Sequence, residues 1–339
     1  MGNTDRHRDP RRDGSHLLCF GRGCGPSIGA DRRSARPAQR KAKAVILGSA
    51  AGGGFPQWNC RCPNCALAWD GDPRVISRTQ SSLAATGDGE SWILLSASPD
   101  LPQQLRTTPK LWPREPGRHS PITAVVLTNA DIDHVAGLLS LRERQPFRLI
   151  ALAPVHAALR QNPIFGVLAD EVVERVTVAP TELVEAAGLQ IELFPVAGKA
   201  PLYLEGADPL IGSEAGETAG VALVGPTGKL AYVPGCAHLH PALLEKLREA
   251  DLLLFDGTVF TDDEMIAAGV GAKTGRRMGH IPIAGEGGSL AALAGLPAKR
   301  KIFVHINNTN PILVEGSPER RAVEEAGFEV ARDGMELAL

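Results

Sequence analysis

Three thiols fall within six residues at Cys60-Arg61-Cys62-Pro63-Asn64-Cys65, the densest set of metal-ligand side chains in the 339-residue chain. A turn through Pro63 and Asn64 can fold those sulfurs onto one tetrahedral ion, and structural zinc prefers such ligands. A fourth ligand must come from elsewhere, with a His the natural donor. The competing reading is three buried or redox cysteines. A disulfide framework is disfavoured. Cys19 and Cys24 lie near the N-terminus and Cys236 stands alone, which leaves a cluster suited to metal in a reducing compartment.

The second concentration of chemistry is Thr128-Asn129-Ala130-Asp131-Ile132-Asp133-His134, directly after the apolar run Ala124–Leu127. Acids and an imidazole at a strand end, ahead of Val135–Leu139, suit a loop that opens a helix, where layered α/β folds keep their chemistry. Three such groups can converge on a metal; the plainer alternative is helix capping by Asp131 or Asp133. His305 leaves the run Ile302–Val304 into Ile306-Asn307-Asn308-Thr309-Asn310-Pro311 in the same ligand-like way, and Asp256 follows Leu252–Phe255. His280, in Gly279-His280-Ile281-Pro282, is the best-placed remaining imidazole. Gly52-Gly53-Gly54 lacks both the lysine of a phosphate loop and the spacing of a dinucleotide fingerprint. No Ser-His-Asp set with a nucleophile elbow is found.

Buried strands must deliver these groups. Short apolar runs of that kind occur at Ala44–Gly48, Trp92–Ser96, Ala124–Leu127, Leu149–Leu152, Val176–Ala179, Ile191–Phe194, Leu252–Phe255 and Ile302–Val304. Val221–Val224 and Leu230–Val233 flank Gly228 as a hairpin. Helical segments are expected at Leu101–Leu105, His156–Arg160, Thr181–Ala187, Pro241–Glu249 and Pro318–Ala326, with an edge hairpin over Phe328–Leu339. Strands alternating with helices predict one α/β domain over residues 43–339, two sheets sandwiched between helices.

Apolar residues make up 43% of the chain and charged residues 22%, enough for a sizeable core. A net charge of −2 and an aromatic fraction of 4% argue against a general nucleic-acid surface or base-stacking platforms. Residues 1–43 carry 11 Lys/Arg against 4 Asp/Glu, and 1–42 are expected to form a disordered basic leader. Its longest apolar stretch, Leu17–Phe20, is too short for a secretory signal. No run approaches the ~18–20 apolar residues of a membrane helix. The expectation is a cytoplasmic protein with no integral membrane association.

The same residues resemble the metallo-β-lactamase superfamily, whose motif is His-x-His-x-Asp-His at a strand end. Over Lys43–Leu339 the chain is similar to the pyrroloquinoline quinone (PQQ) biosynthesis protein B family. Gly48–Cys65, Arg78–Ser82, Ser96–Asp100, Thr128–Leu138, Asp256–Thr258, Met278–Ile281 and His305–Leu313 carry that likeness. It implies a metallo-β-lactamase-like αββα sandwich and a place in making PQQ, a cofactor built from a Glu and a Tyr of a small precursor peptide. Matched to the superfamily motif, Asn129 and Asp131 stand at the first two His positions, while Asp133 and His134 are retained. Phe194–Gly198 lacks a further His, and Cys236 stands at the bridging-aspartate position. A di-zinc hydrolase is hard to assemble from this set. Asp133, His134 and His305 remain as the expected active-site metal ligands.

Two imidazoles and one carboxylate form the ligand set of non-haem iron(II) oxygenases. The resemblance likewise points to an iron-dependent hydroxylase acting on the tyrosine ring of a Glu-Tyr dipeptide. Fe2+ is therefore the expected active-site cofactor. A Glu-Tyr-type peptide or a PQQ intermediate is the expected partner, together with other PQQ biosynthesis proteins. Asp131 is then a further ligand or the orienter of a ligating His, and Asp256 a pocket-lining catalytic acid. Cys236 either borders the site or is buried as a non-ligand. By similarity to superfamily phosphodiesterases with a three-Cys motif, His280 is expected to complete a structural Zn2+ site with Cys60, Cys62 and Cys65. A soluble carrier for PQQ or its precursor and a metal-dependent hydrolase are the competing functions.

Overall fold

Most strands of the core are apolar on both faces, and that pattern sets the layers. The computed structural model describes residues 42–339. The leader expected over 1–42, with its Cys19 and Cys24, lies outside the described residues except for Ala42. In chain order the first six strands are β1 (Lys43–Gly48), β2 (Ser82–Thr86), β3 (Trp92–Leu95), β4 (Ile122–Val126), β5 (Phe147–Leu152) and β6 (Val173–Val178). There follow β7 (Leu183–Ala186), β8 (Leu189–Pro195), β9 (Ala219–Val224) and β10 (Lys229–Val233). The last four are β11 (Leu252–Asp256), β12 (Arg300–Val304), β13 (Phe328–Val330) and β14 (Glu336–Ala338). They form two seven-stranded sheets, ordered β14-β1-β2-β3-β4-β5-β6 and β13-β12-β11-β10-β9-β8-β7.

Side chains alternate across a strand, so a strand apolar on both faces needs cover on both. In β4, Ala124 and Val126 face the other sheet, while Val125 packs outward with Leu138 and Val155. In β11, Leu252 and Leu254 join the central layer, whereas Leu253 and Phe255 pack with Leu243, Leu247 and Leu293. The helices Leu101–Thr107 and Ala153–Arg160 cover the first sheet. Pro241–Arg248, Ser289–Ala294 and Pro318–Glu325 cover the second. The result is the expected αββα sandwich. Each fully buried Leu or Phe contributes about 1.5–3 kcal/mol against chain entropy. Among the described residues no helix is long and apolar enough to cross a membrane.

Two local expectations fail. Thr181–Ala187 is not a helix: Leu183–Ala186 is β7, paired antiparallel with β8 at Ala186↔Leu189. Ala187 and Gly188 both take positive φ (51° and 70°), the tight turn that suits a right-twisted hairpin. That turn outweighs the helix-forming Glu182 and Glu185. Nor is Phe328–Leu339 an edge hairpin. β13 joins β12 in parallel, and β14 joins β1 in antiparallel fashion on the other sheet.

The crossing between those two strands is pinned by Asp333. Its carboxylate accepts from Ser49 N (3.0 Å), Ser49 Oγ (2.8 Å), Thr79 N (2.7 Å) and Thr79 Oγ1 (2.8 Å). Asp333→Ala leaves four donors without that acceptor and is expected to cost roughly 3 kcal/mol or more of stability, read as a shifted midpoint in urea unfolding. An unchanged midpoint would show that water replaces the carboxylate freely.

Candidate metal centre

β3 and β4 run parallel, as do β10, β11 and β12, and their C-terminal ends meet along one edge of the sandwich. Ligands in α/β sheets gather at such ends. After β4 the chain passes Thr128, whose carbonyl accepts from Ala219 N at 2.7 Å, and enters a single helical turn, Ile132–Val135, that carries His134. Gly137 follows against the backbone at Ser98. A Cβ there would sit 2.2 Å from Ser98 O, so only glycine allows the approach. From β12 the chain leaves through His305 at φ 55°, a strained backbone for a residue with a Cβ. Such strain persists only where contacts over-determine it.

Those contacts fix the three imidazoles. Thr258 Oγ1 lies 2.6 Å from Asp256 Oδ1 and 2.8 Å from His305 Nδ1. The hydroxyl donates to the carboxylate and therefore accepts from the His305 Nδ1 proton. His280 Nδ1 donates to Asp256 Oδ2 at 2.8 Å. His134 Nδ1 is held by Ser96 Oγ (2.8 Å) and Thr128 Oγ1 (3.2 Å). With each Nδ1 committed, Nε2 is the nitrogen left to bind a metal, the arrangement in which outer hydrogen bonds set a ligand's tautomer. The rings stack in a row, His134 to His305 at 5.2 Å and His305 to His280 at 5.1 Å between centroids.

Asp133 completes one candidate ligand set. Its Oδ2 lies 3.0 Å from His305 Nε2 and 3.7 Å from His134 Nε2, and the ligand atoms of these three residues lie within 4.8 Å of one another. Burial drives His134 down to about 4, so it is neutral at pH 7, as a ligand must be. Burial opposes ionisation of Asp133, but His134 and His305 outweigh it and hold the carboxyl far below its ordinary range. Burial would also depress His305, and Asp133 reverses that and raises it. The residues present fit a metal: two Nε2 atoms and one ionised carboxylate oxygen converge.

Three expectations need correction. Asp256 is not a free catalytic acid, because it is fully buried and both oxygens are spent on Cys236 N, Thr258 N, Thr258 Oγ1 and His280 Nδ1. Its place is to aim His280 and Thr258. Asp131 orients no histidine among the described residues; its Oδ1 accepts from Leu202 N at 3.1 Å and lies 4.0 Å from Lys199 Nζ. His280 does not join the cysteines. Gly279, at φ 87°, turns the chain so that His280 stacks on His305 and forms a second group with Asp256. Cys236 is buried with its thiol on His238 O at 3.1 Å, and burial raises its pKa.

The sulfurs of Cys60, Cys62 and Cys65 converge within 4.8 Å of one another. Where His280 was expected stands Asn308, whose side-chain amide lies 3.1, 3.6 and 3.3 Å from the three Sγ atoms in turn. Asn64 Nδ2 donates to Asn308 O (3.1 Å) and Asn310 O (2.9 Å), tying the helix Pro63–Trp69 to the Asn-rich turn. Burial pushes the Cys62 thiol up to about 12, so binding a metal there must displace its proton. Sequence reasoning missed Asn308, Ser96 and Thr258. The motifs around all three were visible, but an amide and two hydroxyls carry no ligand signature of their own.

The turn is anchored at its far side by Glu264, which accepts from Thr309 Oγ1 and Phe260 N, each at 2.6 Å.

Two measurements follow. His280→Ala should leave zinc content unchanged, whereas Asn308→Ala should weaken zinc retention about 10–100-fold, read by metal analysis after graded chelation. The opposite ranking would restore His280 to the cysteine site. Burial also raises Glu264 from 4.5 to about 7. Between those values the folded state binds more protons than the unfolded state, so stability falls as pH rises through 7. Glu264→Gln should therefore gain on the native protein by about 3 kcal/mol from pH 5 to pH 8, measured by urea unfolding. A pH-independent gap would refute the shift.

Residues 91–306 match the beta-lactamase superfamily domain. The chain is 59% identical over 298 residues to coenzyme PQQ synthesis protein B of Methylobacterium nodulans, covering 88% of this chain and 100% of the relative. It is 53% identical to the protein of that name from Rhizobium meliloti, covering 87% of this chain and 97% of the relative. The crystal structure of zinc-bound PqqB from Methylobacterium extorquens superposes with a TM-score of 0.86 at 56% identity, covering 88% of this chain and 100% of that one. A diphosphatase of the PhnP family, 21% identical with a TM-score of 0.61, shares the fold. The chain belongs to the coenzyme PQQ synthesis protein B family of the beta-lactamase superfamily.

Proposed function

We propose that the chain serves PQQ biosynthesis as an iron-dependent, O2-using hydroxylase of the tyrosine ring of a Glu-Tyr dipeptide. The family supports the pathway, and one observation carries the chemistry: Asp133, His134 and His305 present one carboxylate and two Nε2 atoms from two strand ends. That ligand set is the one non-haem iron(II) oxygenases use. The positions where superfamily hydrolases keep two more imidazoles are spent otherwise. Asn129 Oδ1 accepts from Asp131 N at 2.9 Å, and Asp131 Oδ1 accepts from Leu202 N.

Asp133, His134 and His305 would hold iron(II), which when bound supplies the activation of O2. Each hydroxylation consumes one O2 with two electrons and two protons from an external reductant, placing one oxygen atom on the ring and releasing the other as water. The chain's own residues prepare the site for this. Ser96 and Thr128 keep His134 turned, Thr258 keeps His305 turned, and the carboxylate of Asp256 holds the Nδ1 proton of His280. His280 therefore offers Nε2 as a proton acceptor in the cavity it lines with Asp133. A phenol hydroxyl is the group it suits.

His134→Ala and His305→Ala should each lose iron stoichiometry and at least about 100-fold of dipeptide hydroxylation, while Asn129→Ala keeps its iron. Iron analysis and O2 consumption with a Glu-Tyr dipeptide read both. Full activity in both His variants would reject the ligand set. Binding of PQQ without O2 consumption by the native protein would favour a carrier, and ester or phosphodiester cleavage a hydrolase.

A further inference from the structure

A cavity of about 360 Å³ opens over Asp133, His134, His280 and His305, and its wall also contains Lys199, Glu205 and Lys273. The metal reading uses none of these three. Glu205 has a side chain only 7% exposed, and three cations surround it: Lys199 Nζ at 2.8 Å from Oε1, Lys273 Nζ at 3.7 Å and a nitrogen of Arg277 at 3.5 Å from Oε2. Burial would raise the Glu205 pKa, but these cations hold it below its ordinary value, so it is a carboxylate at pH 7. Even with Asp131, 4.0 Å from Lys199, the cluster holds three positive charges against two negative.

The cations differ in what they have left to offer. Lys199 is 11% exposed, and its stem lies along Gly279, where a Cβ would sit 3.3 Å from Lys199 Cγ. Its ammonium pairs with Glu205 Oε1 at 2.8 Å and donates to Ala200 O at 3.2 Å, so it acts as the buried post. Lys273 and Arg277 are 42% and 38% exposed, and their contacts to Glu205 are at or beyond the outer limit of hydrogen bonding. An ammonium has three N–H donors and a guanidinium five, so both keep donor capacity beyond these long contacts. Met265, Met278 and Leu202 supply apolar wall to the same cavity. An aromatic body with a carboxylate matches that combination.

We propose that Lys273 on the cavity wall, with Arg277 beside it on the same Glu205 carboxylate, binds a carboxylate of the substrate and selects for anionic aromatic compounds. The identity of the probe rests on the dipeptide reading above, in which the Glu side chain supplies that carboxylate. Charge-assisted bonds to a carboxylate discriminate strongly against its neutral amide, because the amide leaves cationic donors unmatched.

The test is a binding measurement that needs no turnover. The full-length zinc-loaded protein is titrated calorimetrically with Glu-Tyr and with Gln-Tyr. The native protein should bind Glu-Tyr at least about tenfold more tightly, and Lys273→Met/Arg277→Met should bring Glu-Tyr down to the Gln-Tyr value with little change for Gln-Tyr. Unchanged zinc content and circular dichroism show that the variant is folded. Equal affinity for the two dipeptides in the native protein, or discrimination that survives the double substitution, overturns the subsite. If neither dipeptide binds, PQQ, itself a polycarboxylate, takes their place: a loss of affinity in the double variant supports the subsite, and none refutes it. Intact discrimination without any hydroxylation by iron-loaded protein rejects the proposed reaction and leaves the subsite standing. Hydroxylation of both dipeptides with equal KM does the reverse.

Discussion

The Thr258 hydroxyl is the interaction on which the metal edge depends. The hydroxyl also lies 3.0 Å from His305 O and from His280 Nδ1, but its shortest contact, 2.6 Å to Asp256, takes its one proton, which leaves it to accept from His305. That assignment turns His305 Nε2 towards Asp133. Asp256 in turn fixes the proton of His280 on Nδ1. Without a carboxylate at the end of β11 the imidazoles would be buried polar groups with undefined tautomers, which is costly in a low-dielectric interior. With it, the row of rings presents one nitrogen of each residue in a set direction.

The seam between the sheets makes such placement possible. Ala51 N donates to Ile306 O and Ile306 N to Ser49 O, which stitches the loops after β1 and β12 together, while Ala219 N donates to Thr128 O and ties the loop after β4 to the start of β9. In the central layer the Tyr232 hydroxyl meets Ser81 Oγ at 3.0 Å, an internal partner for a phenol that is otherwise wholly buried. Residues distant in sequence therefore reach one cavity with little freedom. The strained φ of Ser96 (65°) and His305 (55°) is tolerated because each is gripped by its neighbours.

Much of this was legible in sequence because buried strands announce themselves and ligand residues at their ends stand out. Asp133, His134 and His305 follow β4 and β12, whose apolar runs are unmistakable. The strand β2 was not seen, since Ser82-Leu83-Ala84-Ala85-Thr86 carries neither an aromatic nor a β-branched apolar residue. His280 was assigned to the wrong metal. Nothing local distinguishes an imidazole that packs on His305 from one that faces three thiols, and the deciding contact, with Asp256, is tertiary. The hairpin misread at the C-terminus failed for the same reason. Two short strands separated by a turn look alike whether they pair with each other or with opposite sheets.

The Asn-rich turn after β12 removes a separation that the sequence suggested. A three-Cys site and a strand-end metal site look independent when read as motifs. In the structure His305 and Asn308 belong to one turn, with the first reaching Asp133 and the second reaching all three sulfurs. Asn64 holds the backbone of that turn at Asn308 and Asn310, and Asn310 Nδ2 donates to Gly257 O beside Thr258. The cysteine site therefore bears on the geometry of His305 as well as on stability. An ion held by Cys60, Cys62 and Cys65 would fix the position of Asn308, and three residues earlier the same backbone carries a strained His whose direction decides whether a ligand set exists. Supporting contacts of this sort are what a precise first coordination sphere requires.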